Sequence, residues 1–357
     1  MMLRALLVPA ALLALTLPAM SESAPSTAAT HKWSIVVHGG AGVIERKSMP
    51  PQTEADYRAA MKTAIETGAA VLAKGGTSLD AVQATIEYLE DNPLFNAGKG
   101  AVFTADGHNE LDSAIMDGAT LKAGAVAQLT RTRHPIAAAR AVMEQSPAVM
   151  LAGPNADKLA ASKGLEQVDN SYFFTERRWE GLIKQLQKEG KPIPPRPAGA
   201  PPAPEKPLTM IEPADAHKWG TVGVVALDEA GNIAAGTSTG GLQAKLPGRI
   251  GDSPIIGAGT YASNHSCAVS GTGTGEYFIR LTVAREICAL VEDKHMKLQA
   301  AADEVIHKQL EGLHGDGGVI AIAPDGQQAW SFNSPGMYRA RMSQGGQPTI
   351  AIYNDEP

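Results

Sequence analysis

Three groups of hydroxyl residues and glycines stand out in the second half of the chain: Thr221, then Gly236-Thr237-Ser238-Thr239-Gly240-Gly241, then Gly271-Thr272-Gly273-Thr274-Gly275. Together they hold the parts for acyl transfer. A threonine hydroxyl can be a nucleophile, glycine lets backbone approach a ligand closely, and turn N–H groups nearby can bind a developing oxyanion. Any one of these threonines, taken singly, reads as an ordinary β-branched strand residue.

Other chemistries fit less well. Gly236-Thr237-Ser238-Thr239-Gly240 matches the G-x-S-x-G pattern of serine hydrolases, but that turn must lead straight into a helix, and Gly240, Gly241, Pro247 and Gly248 follow. Gly271 to Gly275 lacks phosphate-loop spacing, and Lys99 is followed by Gly100 where a P-loop needs Ser or Thr. Zinc-ligand spacing is absent. Cys267 and Cys288 lie in no nucleophile context and read as two buried free thiols, although an oxidising compartment would permit a bridge.

The elements that must position these residues follow from periodicity. Trp33 to Val37 reads as a buried strand entering a glycine-rich turn, His38-Gly39-Gly40-Ala41-Gly42. Glu54 to Lys74 has helical spacing. A second helix begins near Thr77 or Ser78 as cap and ends at Pro93, and a third spans Pro135 to Gln145. Thr221 to Leu227 and Ile233 to Thr237 form a hairpin about Asp228 to Asn232, and Val319 to Ala323 and Gln328 to Phe332 form another about Pro324-Asp325-Gly326. Helices are expected over Glu276 to Val291 and Leu298 to Leu313. Strands cluster, helices cluster and strands return, so the fold class expected is α/β, an antiparallel sandwich with helices outside.

The chain has 357 residues, a formal net charge of −6 and 44% hydrophobic residues, which suits a folded globular protein and gives no footprint of a nucleic-acid binder. A small-molecule partner is expected. Residues 1 to 24 read as an export signal: Arg4 precedes an apolar run, and small residues offer a cleavage site near Ala19-Met20-Ser21. The mature protein is therefore expected to be secreted or periplasmic, with no membrane span. Prolines crowd residues 190 to 216, which read as an exposed, mobile linker. The expected organisation is one folded domain in two segments, 25 to 220 and 221 to 357.

His38-Gly39-Gly40-Ala41-Gly42, Asn92-Pro93-Leu94-Phe95-Asn96-Ala97-Gly98, Gly220-Thr221-Val222-Gly223, Thr237-Ser238-Thr239-Gly240-Gly241, Leu246-Pro247-Gly248-Arg249-Ile250-Gly251-Asp252-Ser253-Pro254 and Gly271-Thr272-Gly273-Thr274-Gly275-Glu276 occur in that order. Over roughly residues 33 to 354 the chain resembles the plant-type L-asparaginases, also called isoaspartyl aminopeptidases. The resemblance implies a four-layer αββα N-terminal-nucleophile fold, made as one precursor that cleaves itself between Gly220 and Thr221. The freed α-amino group of Thr221 would accept its own hydroxyl proton, so nucleophile and base arrive together.

By the same resemblance Thr239 tunes the nucleophile, Thr272 and the Gly273 N–H form the oxyanion hole, and Asn96 assists. Arg249 would grip the substrate α-carboxylate and Asp252 its α-ammonium, with Gly273 and Gly275 alongside. On the residues alone, Arg249 and Asp252 read instead as an ion pair with each other. No cofactor is implied for catalysis, but a structural sodium is, on backbone carbonyls of Leu89, Glu90, Asn92, Phe95, Ala97 and Lys99. A homodimer of processed αβ units is implied too. Glycosylasparaginases, the related branch, usually carry His-Asp before the nucleophile, where this chain has Trp219-Gly220. A periplasmic amino-acid-binding protein without turnover is the alternative from another class.

Overall fold

Alternation along the central strands decides which layer each side chain joins. In the computed structural model, which describes residues 31–204 and 220–357, strand β1 (Ser34–Gly42) sends Ile35 and Val37 to one core and Val36 to another. Strand β5 (Val222–Leu227) divides Val224 and Ala226 from Val225 and Leu227 in the same way. Strands buried on both faces must be apolar throughout, which is why these segments carry no polar alternation.

The larger sheet has eight strands in the order β12-β11-β1-β5-β6-β2-β3-β4, comprising β2 (Leu111–Asp117), β3 (Ala123–Leu129), β4 (Met150–Ala152), β6 (Ile233–Thr239), β11 (Gly336–Ser343) and β12 (Thr349–Tyr353) besides β1 and β5. The smaller has the order β10-β9-β8-β7, from β7 (Thr260–Ala262), β8 (Ala268–Gly273), β9 (Gly317–Ile322) and β10 (Gln328–Phe332). Helices α1 (Pro51–Leu72), α2 (Ser78–Asp91) and α3 (Pro135–Gln145) cover the outer face of the first sheet. Helices α7 (Val283–Lys294) and α8 (Leu298–Glu304) cover the second. Val36, Val225, Ile233, Ala235, Ala268, Ile320 and Ile322 fill the layer between the sheets. The result is the αββα sandwich, and residues His31–Pro357 form one compact unit.

Local signals account for the helix starts. Pro51 occupies the first turn of α1, and the Thr77 hydroxyl accepts the Asp80 N–H at 3.1 Å to cap α2. The described residues also form helices α4 (Pro154–Ser162), α5 (Glu176–Lys188) and α6 (Gly275–Leu281).

Several expectations need correction. His38 to Gly42 is not a turn: after a bulge between His38 and Gly40, Gly40, Ala41 and Gly42 pair with Tyr338, Met337 and Gly336 of β11, a partner far along the chain that no local pattern reveals. The helix expected over Glu276 to Val291 breaks at Thr282, which is left-handed at φ 48°. It restarts there because the N–H groups of Ala284 and Arg285 bond the carbonyls of Ala258 and Gly257. The helix from Leu298 changes to a π-helical turn over Val305–Leu310. The sheets are antiparallel except where β3 pairs with β4 in parallel.

Cys267 and Cys288 are joined in a disulfide, not free. The segment entering β8 runs beside α7 and brings their Cα atoms to 5.3 Å, within bridging range. Of the proline-rich segment, residues 191–204 lie exposed but anchored: Arg196 pairs with Glu176 on α5, and its guanidinium stacks 4.6 Å from the Phe174 ring centre. The remainder of that linker and the export segment at residues 1 to 24 lie outside the described residues.

Candidate active site

Period-two alternation also assembles the site. On β6, Ile233 and Ala235 face the layer between the sheets, so Thr237 and Thr239 do as well. On β5, Val225 and Leu227 face that layer, and by the same count so do Gly223 and Thr221, the residue just before the strand. On β8, Ala268 faces it, and so do Ser270 and Thr272. On β1, Val36 and His38 do likewise. Toward one end of the sandwich the shared apolar layer thus becomes a layer of hydroxyls around one imidazole.

Thr221 is almost buried, and its Oγ1 donates to Thr239 Oγ1 at 3.0 Å. The Thr239 oxygen also accepts the Gly241 N–H at 2.9 Å. Asn96 fixes this turn: its Nδ2 donates to the Gly241 carbonyl at 2.8 Å, its Oδ1 accepts the Val102 N–H at 2.9 Å, and its own carbonyl accepts the Gly240 N–H at 3.1 Å. Thr272 Oγ1 accepts the Ala41 N–H at 3.2 Å, which leaves its own proton free to donate elsewhere. Gly273 pairs with Gly317 across β8 and β9. A Cβ there would come within 2.4 Å of the Asp316 carbonyl oxygen and 2.7 Å of Gly317 Cα, so only glycine fits.

The link from Gly220 to Thr221 is threaded through this site. Gly220 backbone lies against Gly40 so closely that a Cβ on Gly40 would come within 2.4 Å of Gly220 Cα. A cavity of about 10 Å³ lies among Gly39, Gly40, Asn96, Arg178, Gly220 and Tyr338.

Arg249 does not pair with Asp252. Its Nε and Nη2 each make 3.0 Å bonds to the Glu276 carboxylate at the start of α6. Arg249 and Asp252 nevertheless face the same small space: a Cβ on Gly275 would lie 2.8 Å from Asp252 Oδ1 and 2.9 Å from Arg249 Nη2. Asp252 is buried, and its Oδ2 has no hydrogen-bond partner among the described residues. Burial raises its carboxyl to about 7, with Arg249 opposing the shift. An unpartnered buried carboxylate beside a guanidinium suits an ammonium and a carboxylate arriving on one small molecule.

His38, read from sequence as part of a turn, is a structural centre instead. Its Nε2 lies 3.0 Å from Ser270 Oγ, which lies 2.7 Å from Thr237 Oγ1, which in turn accepts from Thr260 Oγ1 at 2.6 Å. Burial lowers the imidazole to about 3, while the adjacent Thr221 backbone opposes this, so the ring is neutral at ordinary pH. Among the described residues Nδ1 makes no well-formed hydrogen bond. Counting strand parity outward from His38 would have paired it with the threonine layer, had the glycines not suggested a turn.

The carbonyls of the loop implied to hold sodium fall into two groups. Those of Leu89, Glu90 and Asn92 accept the N–H groups of Asn92, Lys99 and Phe95 at 3.3, 2.6 and 3.2 Å. No hydrogen bond from the described residues reaches the carbonyls of Phe95, Ala97 or Lys99. The Lys99 ammonium lies 5.5 Å from the Tyr172 ring centre, its charge drawn to that ring. Three open carbonyls suit a hard monovalent cation.

A central layer of paired sheets, closed by helices and presenting a threonine just ahead of an inner strand, defines an N-terminal-nucleophile hydrolase. The chain belongs to the asparaginase family, whose profile matches residues 31–352. It is 48% identical over 322 residues to an isoaspartyl peptidase of Escherichia coli (strain K12), covering 90% of this chain and 96% of that protein. It is 44% identical to a putative isoaspartyl peptidase/L-asparaginase of Dictyostelium discoideum, over 85% of this chain and 92% of the other. It is 39% identical to a plant-type L-asparaginase of Pyrococcus furiosus, over 87% and 97%. The chain is thus an enzyme, a hydrolase, and the solute-binding alternative falls away.

Proposed function

We propose that this enzyme cuts itself between Gly220 and Thr221 and then hydrolyses L-asparagine and β-aspartyl dipeptides, releasing L-aspartate. The contact between Thr221 Oγ1 and Thr239 Oγ1 at 3.0 Å, beside the Arg249 and Asp252 space, carries this reading. In the precursor, the Thr221 hydroxyl adds to the Gly220 carbonyl carbon, and the peptide C–N bond breaks to leave an ester. Water then cleaves the ester, giving a Gly220 carboxylate and a free Thr221 α-amine.

That amine takes the Oγ1 proton as the oxygen adds to the substrate's side-chain amide carbonyl. The oxyanion is met by the Thr272 hydroxyl and the Gly273 N–H. Collapse expels ammonia or the amine of the second amino acid, which takes the proton from the Thr221 ammonium. Water then hydrolyses the aspartyl ester. Arg249 holds the α-carboxylate and Asp252 the α-ammonium throughout. Neutral His38 serves as a fixed support under the Thr221 backbone.

A monovalent cation on the Phe95, Ala97 and Lys99 carbonyls would supply positive charge that fixes the loop carrying Asn96. A homodimer of processed units and export of the chain complete the proposal. The disulfide supports export, since such bonds persist in oxidising compartments. The test compares ammonia release from L-asparagine with aspartate release from β-aspartyl dipeptides. A purified, processed enzyme that hydrolyses neither would refute the assignment.

A further inference from the structure

Thr237 has no step in the reaction proposed above, yet its hydroxyl is closely engaged. It donates to the Gly259 carbonyl at 3.1 Å, accepts from Thr260 Oγ1 of β7 at 2.6 Å, and lies 2.7 Å from Ser270 Oγ of β8. Thr237, Thr260 and Ser270 are all fully buried. A buried hydroxyl must find its partners inside the protein, and these partners come from segments that are otherwise separate.

One side of this network grips the loop that carries Asp252. Thr260 Oγ1 also lies 3.1 Å from the Ser253 carbonyl oxygen, and the Thr260 carbonyl accepts the Gly257 N–H at 2.8 Å. The Gly259 N–H donates to the Asp252 carbonyl at 3.1 Å, while the Gly259 carbonyl accepts the Gly271 N–H at 2.9 Å. Both ends of residues 252–259 are thus fastened to the inner strands. Space there is tight as well: a Cβ on Gly259 would lie 2.7 Å from Asp252 Oδ2, so a shift of Gly259 displaces the carboxylate.

The other side of the network reaches the segment that carries the nucleophile. Ser270 Oγ lies 3.0 Å from His38 Nε2, and this contact passes over Gly223, where a Cβ would come within 1.9 Å of Ser270 Oγ and 2.3 Å of His38 Nε2. Gly223 stands two residues beyond Thr221 and faces the same layer. We infer that Thr237 and Thr260 are positioning residues, which hold the Asp252 loop in place relative to Thr221 and so set where the substrate α-ammonium lies when the hydroxyl attacks. This rests on the amidohydrolase reading above. Both hydroxyls act through Asp252.

The test is a double-mutant cycle on the processed enzyme, with kcat and KM for L-asparagine measured in wild type, Thr237→Val, Asp252→Asn and the pair. Thr237→Val should lower kcat/KM about tenfold, and mostly through KM, because an ammonium contact is lost from ground and transition states alike. In the Asp252→Asn background the same change should cost less than about threefold. Thr237→Ser, which keeps the hydroxyl, should restore near-normal values. Should Thr237→Val fail to fold, Thr260→Val with Thr260→Ser supplies a second cycle with the same expectation. A packing role alone would make the losses add, so additive losses, with Asp252→Asn itself impaired, overturn this inference and leave the parent reading standing. A wild type that cleaves neither L-asparagine nor β-aspartyl dipeptides overturns the parent reading instead.

Discussion

Because burial raises the Asp252 carboxyl to about 7, the ammonium-binding role proposed for it would be lost on the acid side of neutrality. The folded value lies above the ordinary carboxylate value, so the group is neutral below about 7 and charged above it. On the proposed mechanism the freed Thr221 amine, with an ordinary α-amino value of about 7.7 to 8, would also have to lose a proton to act as base. The acid limb of kcat/KM should therefore be steeper than a single ionisation. Asp252→Asn should reduce that limb to one ionisation while lowering kcat/KM at least about tenfold, measured by initial rates between pH 5 and 9. An acid limb unchanged in steepness in Asp252→Asn would reassign the ionisation. Arg249→Ala should cut kcat/KM on both substrates by at least about tenfold, because losing a charged partner costs about 2 to 5 kcal/mol. Self-cleavage should survive, since the Gly220 bond presents no α-carboxylate; a variant with normal kinetics would show that Arg249 serves only Glu276. Thr221→Ala should remain one chain and inactive, and splitting at that bond in the variant would point to another nucleophile.

At the scale of elements, legibility followed the range of the forces involved. Helices α1 to α3 and the hairpins of β5 with β6 and β9 with β10 were readable because caps, prolines and turn residues act over a few positions. The end of β1 was misread because its glycines imitate a turn, while the pairing that extends it comes from β11, some 300 residues on. Thr221, Thr239, Thr272, Arg249 and Asp252 were nameable from motifs, but the exchange of Asp252 for Glu276 as the arginine's partner depends on how α6 begins, which spacing cannot express. The disulfide was missed because pairing depends on a distance across β8 and α7. Removing it with Cys267→Ser and Cys288→Ser together should cost about 3 kcal/mol by the loop of 21 residues it closes, seen as a lower melting temperature. An unchanged melting temperature would show the bridge to be incidental. Gly273→Ala should be worse for activity than for folding only if the strands can part; the 2.4 Å approach to the Asp316 carbonyl argues that both suffer, checked by circular dichroism beside assay.

On the scale of the whole molecule, cutting before Thr221 leaves a C-terminal piece of 137 residues (357 − 220), and the strands of the two pieces interleave. Strand β1 from the first piece lies between β11 and β5 of the second, and β2 pairs with β6. The disulfide lies wholly in the second piece, so denaturing electrophoresis without reductant should show two bands, while native sizing shows one species. If the chain is cut as proposed, the interleaving would also make assembly a one-time event in the life of the protein. Before the cut, tethering keeps the effective concentration of the partner strands high; after it, each piece must find the other by diffusion. Denatured Thr221→Ala should regain its sheet at a rate independent of concentration, whereas the denatured, cleaved enzyme should recover in a second-order process that slows on dilution, followed by tryptophan fluorescence. The active enzyme would then endure by how slowly it comes apart and not by how readily it re-forms.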